Sequence, residues 1–155
     1  MKKPRGLKLN NNVESEGQWL MAEELMLEIV TPEELAFSGK VEEVTVPGSE
    51  GEFGVLVGHV PLLSAVNFGE LNFTQDNKKT YYAIGTGYAE VTDVKVTLLV
   101  ESLVRADDID AEEAKKEKDE AEAELSKIGK DDPGVQKVTD ALRRAEVKLK
   151  VAEKL

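Results

Sequence analysis

The stretch of sequence that decides the fold is residues 44–63, which read VTVPGSEGEFGVLVGHVPLL. Apolar and polar residues alternate at its start, a pattern that predicts a half-buried β-strand. The glycines that follow are three or four residues apart: Gly48, Gly51, Gly54 and Gly58. Glycine at this density predicts a backbone that adopts positive φ or passes close to other atoms. We therefore expect a protruding loop of defined shape after this strand.

The same two-residue period extends over residues 25–104. Later runs at residues 81–84, 88–92 and 95–100 repeat it, and turn-forming residues separate the runs at short intervals. No interval is long enough for the helix of a parallel crossover connection. The pattern predicts an N-terminal β-sandwich, or flattened barrel of short and mostly antiparallel strands, over residues 21–105.

The composition changes where this pattern ends. Glycine and aromatic residues become rare while Ala, Glu and Lys dominate, which is typical of exposed helices. Asp110 is placed to cap a first helix over residues 111–128, with Glu113 as its capping-box partner. Residues 131–134, DDPG, break the chain before a second helix. Residues 106–155 are therefore predicted to form an antiparallel helical hairpin, so the fold class is mainly β plus α.

The two arms of this hairpin offer different side chains to each other. The second arm has a heptad seam: Val135, Val138, Leu142, Ala145, Leu149 and Ala152. The matching seam of the first arm is mostly alanine: Ala111, Ala114, Lys118, Ala121, Leu125 and Ile128. Alanine buries little apolar area, so the contact between the arms should be weak. Opposite charge compensates in part, since residues 110–127 hold eight acids and four bases (net −4) and residues 135–155 three acids and six bases (net +3). We expect the hairpin to open readily.

Composition excludes several classes of function. The formal net charge of −11 makes nucleic acid a poor partner. The absence of cysteine and the presence of one histidine leave little material for a metal site. Nowhere do eighteen apolar residues run together, so contact with a membrane would have to go through another protein. Residues 1–20 are polar and lack periodicity, and we interpret them as a disordered extension, an expression remnant or a misplaced start.

Four motifs accompany residues 44–63: VTP at 30–32, FSG at 37–39, GTGYAEV at 85–91 and LKVAE at 149–153. Together they resemble the epsilon subunit of the rotary F-type ATP synthases, of the bacterial or plastid type, over the whole of residues 25–155. Val57 and Phe68 depart from the resemblance, because the family usually has proline at both positions. These changes concern the stiffness of the loops.

The resemblance implies a central-stalk subunit that is not an enzyme by itself. Such a subunit binds the gamma subunit and the c-subunit ring and couples proton-driven rotation to ATP synthesis. Its hairpin either folds beside the sandwich or extends to the alpha/beta catalytic subunits and inhibits ATP hydrolysis. The implied location is the cytoplasmic face of the bacterial cell membrane, or alternatively the stromal face of the thylakoid membrane, with membrane contact only through the complex.

The resemblance also assigns roles within the loop. The residues facing the c-ring would be Ser49, Glu50, Gly51 and Glu52, although an exposed Glu52 is equally typical of a merely solvated acid. The residues that contact gamma or support the loop would be Phe53, His59, Pro61 and Leu62. A catalytic role for His59 lacks a nucleophile and an orienting partner in the sequence. We expect a partly buried histidine that bonds to the loop or to gamma.

On the hairpin, the resemblance implies a regulatory basic arm of Arg143, Arg144 and Lys148, which would meet acidic segments of the catalytic subunits. A plain solvated face is the alternative. Many relatives bind ATP through the pattern Ile/Leu-Asp-x-x-Arg-Ala, and the matching residues here are Ile109, Asp110 and Ala114. Glu113 stands where that pattern has arginine, so we predict no cofactor and weak or absent binding of ATP.

Two other classes of protein share part of this pattern. A free-standing adaptor would have a similar composition but no need for the glycine loop. A small hydrolase that used Glu52 and His59 would show turnover without partners.

Overall fold

The computed structural model describes residues 24–155, so the extension over residues 1–20 lies outside the described part. Within that part ten strands come first: β1 (Leu25–Val30), β2 (Leu35–Val41), β3 (Glu43–Gly48), β4 (Gly51–Val55), β5 (Leu62–Val66), β6 (Gly69–Gln75), β7 (Lys78–Ile84), β8 (Gly87–Val91), β9 (Lys95–Val100) and β10 (Leu103–Arg105). A 3-10 turn at Ala106–Asp108 then leads into α1 (Ala111–Leu125) and α2 (Val135–Ala152).

The strands form one sheet that curls into two facing layers. Their order is β10-β7-β6-β3-β5-β8-β9-β1-β2, and β4 adds to β3 as a hairpin. The layers join where Gly48 of β3 pairs with Val66 of β5. All neighbouring strands are antiparallel except β9 and β1, which pair in parallel. Parallel strands need a long connection, and here the chain from β2 to β8 provides it. The predicted fold class, a β-sandwich followed by a two-helix hairpin, is confirmed.

Apolar side chains from both layers fill the space between them. Leu25, Leu27 and Ile29 alternate along β1 and are at most 1% exposed. From the other layer, the ring of Phe73 lies 4.6 Å from the ring of Phe37, measured between centroids. Burial of one large apolar side chain contributes about 1.5–3 kcal/mol to stability. This continuous core therefore holds the sandwich together without help from the helices.

Strand β8 can lie between β5 and β9 because residue 87 has no side chain. Gly87 pairs with Val66 on one side and with Val100 on the other. A Cβ atom at this position would lie 1.8 Å from the carbonyl oxygen of Leu99 and 2.8 Å from the Cα of Val100. These are backbone atoms, so they cannot move aside as the end of a flexible side chain would.

The first helix begins as predicted and ends early. The Asp110 carboxylate accepts hydrogen bonds from two backbone amides of the first turn, both at 3.1 Å, which confirms it as the cap. The reciprocal bond of the predicted capping box does not form between these described residues. Helix α1 ends at Leu125 and not at Ile128. In the turn that follows, the Glu124 carbonyl accepts from both the Lys127 amide at 3.0 Å and the Ile128 amide at 3.3 Å, so the regular helical bonding pattern stops there.

The two helices meet through small side chains, as the sequence predicts. Ala114 and Ala121 of α1 and Val138 and Ala145 of α2 are each at most 9% exposed. No helix within residues 24–155 is long and apolar enough to cross a membrane.

We expect Gly87→Ala to lower the free energy of unfolding by about 1–3 kcal/mol, because the added methyl group must displace backbone of β9. Urea denaturation of the purified chain measures this loss. Gly54→Ala is the matched control, since a Cβ there would meet no atom within 4 Å, and it should be neutral or slightly stabilising. Equal stability of the two variants would contradict the packing role of Gly87.

Candidate functional site

The tip of the β3–β4 hairpin is open to solvent. Ser49, Glu50, Gly51 and Glu52 are all exposed. The Ser49 amide donates a hydrogen bond to the Ala65 carbonyl of β5 at 2.9 Å, which ties the tip to the second layer. The tip therefore presents two carboxylates from a fixed position, where a basic partner can reach them.

Three of the four glycines in residues 44–63 have the backbone roles that the sequence predicts. Gly51 and Gly58 have φ values of +124° and +89°, and both lie in the region that favours glycine. A Cβ at Gly48 would lie 2.8 Å from the carbonyl oxygen of Gly51. The prediction is wrong for Gly54, which has neither a positive φ nor an atom within 4 Å of a built Cβ.

The loop after β4 holds its histidine through the backbone. The Nδ1 atom of His59 lies 2.7 Å from the carbonyl oxygen of Val60, and the ring is half-buried. The amide of Gly58 donates to the Asp93 carbonyl at 2.6 Å, which anchors the loop to the β8–β9 turn. The ring therefore contacts the backbone of its own loop.

The other loop residues that were expected to contact gamma differ in exposure. Phe53 packs against the core of the sandwich, whereas Pro61 and Leu62 are exposed. The loop also exposes Leu56 and Val60, at 61% and 71%. The loop thus exposes apolar side chains that a partner could contact, whereas Phe53 packs beneath the loop against the core.

A row of apolar side chains crosses the outer face of the second layer. Ala65 of β5 pairs with Tyr88 of β8, Tyr88 with Leu99 of β9, Leu99 with Val30 of β1, and Val30 with Leu35 of β2. Tyr88, Leu99 and Leu35 are 60%, 52% and 57% exposed. Contiguous exposed apolar surface marks an interaction site. We name these five residues the apolar row.

The apolar row was not predicted from the sequence, although part of its signal is present there. Tyr88 and Leu99 stand next to the buried residues Ala89 and Leu98, in the phase of each strand that is normally polar when one face of a sheet meets water. The alignment of these residues across five strands depends on strand register, and that register is not visible in single segments.

Helix α2 reaches the sandwich through Val151. This side chain is 0% exposed and packs with Ala83 of β7 and Ala106 of the 3-10 turn, next to Val147. Val147 and Val151 are four residues apart and share one face of the helix. The predicted seam of α2 omits both, because it accounts only for the face toward α1.

The three cations of the basic arm have different neighbours. The guanidinium carbons of Arg143 and Arg144 each lie 5.5 Å from the ring centroid of Phe68, in the loop between β5 and β6. Arg144 also lies 4.0 Å from the Glu101 carboxylate. Lys148 lies 3.3 Å from a carboxylate of α1. With the hairpin packed on the sandwich, all three contact groups of this same chain.

The residues that match the ATP pattern line a cleft of about 220 Å³ where α1, α2 and β10 meet. Ile109, Asp110 and Ala114 all contribute to it, and Lys148 is the one cation among its lining residues. The other charged residues of the lining are acids: Asp108, Glu113 and Glu117. Four carboxylates therefore share the cleft with a single ammonium group, and Arg144 is not part of the lining.

The described residues do not assemble a metal centre. No three His, Asp or Glu side chains within residues 24–155 converge to hold a metal ion.

Burial raises the pKa of the Tyr82 phenol from its usual 10.0, and the positive charge of Arg105 lowers it by a smaller amount. The phenol is thus neutral at ordinary pH, and its ring stacks on Phe73 at 5.9 Å as part of the core.

Two family models match the chain one after the other. Residues 24–106 match the ATP synthase Delta/Epsilon chain, beta-sandwich domain. Residues 107–153 match the ATP synthase Delta/Epsilon chain, long alpha-helix domain.

Similar proteins from bacteria carry the name ATP synthase epsilon chain. The protein from Geotalea uraniireducens is 43% identical over 134 residues, which cover 86% of this chain and 97% of the relative. The protein from Nitratidesulfovibrio vulgaris is 45% identical over 131 residues, which cover 84% of this chain and 97% of the relative.

Solved structures show the same fold. A chain in a cryo-EM structure of the Euglena gracilis mitochondrial ATP synthase, described as OSCP/F1/c-ring in rotational state 1, superposes with a TM-score of 0.73 at 25% identity. The superposition covers 99% of this chain and 91% of that one. A chain in the central stalk/c-ring structure of the Tetrahymena thermophila mitochondrial ATP synthase has a TM-score of 0.54 at 14% identity, covering 84% and 97%, and supports the fold alone.

Proposed function

The chain belongs to the delta/epsilon family of ATP synthase subunits, and we propose that it is the epsilon subunit of the central stalk of an F-type ATP synthase. In this role it is a non-catalytic subunit that couples proton-driven rotation of the c-ring to ATP synthesis through gamma. One observation carries the proposal: both family domains follow each other over residues 24–153, and bacterial epsilon chains align over 97% of their length. This extent of similarity argues against a free-standing adaptor or a small hydrolase.

For the contact with the c-ring we propose the tip of the β3–β4 hairpin. Ser49, Glu50, Gly51 and Glu52 are exposed there on a backbone that is tied to β5. A carboxylate held in place at a rigid tip can pair with a basic group without ordering a long flexible segment. Glu52 is the acid that we expect to make this pair.

For gamma we propose the apolar row together with the exposed end of the adjoining loop. Leu63 of β5 is 73% exposed and extends the row toward Pro61 and Leu62. Removing this surface from water would contribute about 25 cal/mol for each Å² of apolar area. The five strands beneath the row form one layer of the sandwich, so the surface is rigid before it binds.

For inhibition of hydrolysis we propose that α1 and α2 leave the sandwich and that the basic arm then meets acidic segments of the alpha/beta subunits. The hairpin is held to the sandwich by the small cluster around Val151, by cations over the rings of Phe68 and Tyr81, and by polar contacts of 3.7 and 4.0 Å. The seam between its arms consists mainly of alanine and valine. The cluster around Val151 has fewer buried apolar residues than the sandwich core, so release of the hairpin should cost less free energy than unfolding of the sandwich.

We further propose that ATP binds the hairpin weakly or not at all and that the subunit needs no cofactor. A triphosphate in the cleft would face Asp108, Asp110, Glu113 and Glu117. Lys148 already pairs with Glu117 at 3.3 Å. Repulsion among like charges disfavours the complex.

The cytoplasmic face of a bacterial cell membrane is the location that we propose. The named relatives are bacterial proteins, which favours this location over the thylakoid alternative. Contact with the membrane would run through the complex.

Leu99→Asp should weaken binding to the purified gamma subunit by about tenfold or more, because it places a charge in the centre of the apolar row. Isothermal titration calorimetry with the full chain measures the affinity. Leu155→Asp is the matched control, since Leu155 is 78% exposed and lies outside the row. If both variants bind like the parent chain, gamma uses another surface.

Deletion of residues 107–155 should raise ATP hydrolysis by the reconstituted complex about fivefold, a coupling of roughly 1 kcal/mol, and should leave assembly intact. The rate of ATP hydrolysis and the subunit composition of the complex are the two measurements. Lys78→Gln, at an exposed residue outside the hairpin and the surfaces proposed for the c-ring and gamma, serves as the control for a change elsewhere in the subunit. Hydrolysis that stays at the parent rate after the deletion would exclude an inhibitory hairpin.

Titration of the full chain with magnesium ATP should give no micromolar binding by calorimetry, owing to the excess of carboxylates in the cleft. Glu113→Arg restores the cation of the family pattern and removes one acid, so it should increase the affinity by about tenfold or more. Micromolar affinity in the parent chain would refute the proposal.

A further inference from the structure

Two aromatic rings of the sandwich lie against cations of α2 or of the residues just after it. The Phe68 ring has Arg143 and Arg144 each at 5.5 Å from its centroid. The Tyr81 ring has the Nζ atom of Lys154 at 5.8 Å. All three distances fall within the range of about 6 Å in which the face of a ring attracts a cation.

A carboxylate accompanies each ring. Glu101 lies 4.0 Å from Arg144, and Glu70, whose side chain is only 15% exposed, lies 3.7 Å from Lys154. Arg144 lies within α2, and Lys154 follows two residues after the helix ends at Ala152. The two ring-and-carboxylate pairs therefore hold α2 on both sides of the buried Val151.

The contact at Phe68 is suited to a helix that must also be released. A guanidinium group is weakly hydrated and stacks on aromatic faces, so little hydration is lost when it docks. Arg143 and Arg144 are also two of the three cations proposed to meet the catalytic subunits. Both side chains stay partly exposed, but docking on Phe68 holds them beside the sandwich.

We propose that Phe68 is a positioning residue for the regulatory arm: its ring binds Arg143 and Arg144 in the packed hairpin and sets how often the hairpin leaves the sandwich. Proline, which the family usually has at this position, offers no aromatic face. The docking step does not depend on the proposed function. Only its consequence for hydrolysis rests on the proposed inhibitory role.

A single introduced thiol can report this opening, because the chain contains no cysteine. Ala83 is 6% exposed and is covered by Val151, so Ala83→Cys places a thiol beneath α2. Its rate of reaction with a maleimide follows the fraction of molecules in which the hairpin has opened. Ala89→Cys, in the core of the sandwich at 0% exposure, reports opening of the sandwich itself.

Phe68→Leu keeps an apolar side chain and removes the aromatic face. In the full chain, it should speed the labelling at position 83 by about fivefold and leave the labelling at position 89 unchanged. Phe68→Trp offers a stronger face and should slow the labelling at position 83 or leave it at the parent rate. A parent rate in Phe68→Leu would overturn the proposal, and so would an equal acceleration at both reporter positions.

The same variants in the reconstituted complex separate this inference from the proposed function. If the released arm inhibits, Phe68→Leu should lower ATP hydrolysis below the parent rate. Faster labelling with unchanged hydrolysis would leave the role of Phe68 intact and count against inhibition by the hairpin. Unchanged labelling would refute the role of Phe68 whatever the hydrolysis shows.

Discussion

The contact of Val151 with Ala83 and Ala106 determines where the helical hairpin lies on the sandwich. This cluster has three buried residues, with the partly buried Tyr81, Ile109 and Val147 packed against them, whereas the sandwich core has sixteen buried residues from both layers. Hydrophobic stabilisation grows with the apolar area removed from water. Packing between the hairpin and the sandwich is therefore less extensive than packing within the sandwich, as the proposed release of the hairpin requires.

The surfaces proposed for assembly and for regulation use different strands of the sandwich. The apolar row crosses β5, β8, β9, β1 and β2, and the exposed tip belongs to β3 and β4. Helix α2 instead packs on β7 and β6. Neither the row nor the tip is built from the hairpin. The proposed movement of the hairpin would therefore leave both proposed assembly surfaces unaltered.

Much of the fold could be predicted because its signals are local. Alternation along residues 25–104, the cap at Asp110 and the alanine seam of α1 each appear within a few consecutive residues. Val151 and Phe68 could not be assigned in the same way. From the sequence, Val151 would lie on the outer face of a two-helix hairpin, and it is buried only because the sandwich packs on it. From the sequence, Phe68 is an ordinary loop residue, and only the fold brings two arginines of a distant helix to its ring.

By itself, the sequence determined the order and type of the elements, the polarity of the tip and the excess of acid around Asp110. These properties follow from side-chain chemistry and from spacing along the chain. The tertiary structure alone decided which exposed residues align into one apolar row and which cations of α2 meet an aromatic ring. Both depend on strand register and on helix placement, and these are set by the summed packing of residues far apart in the chain.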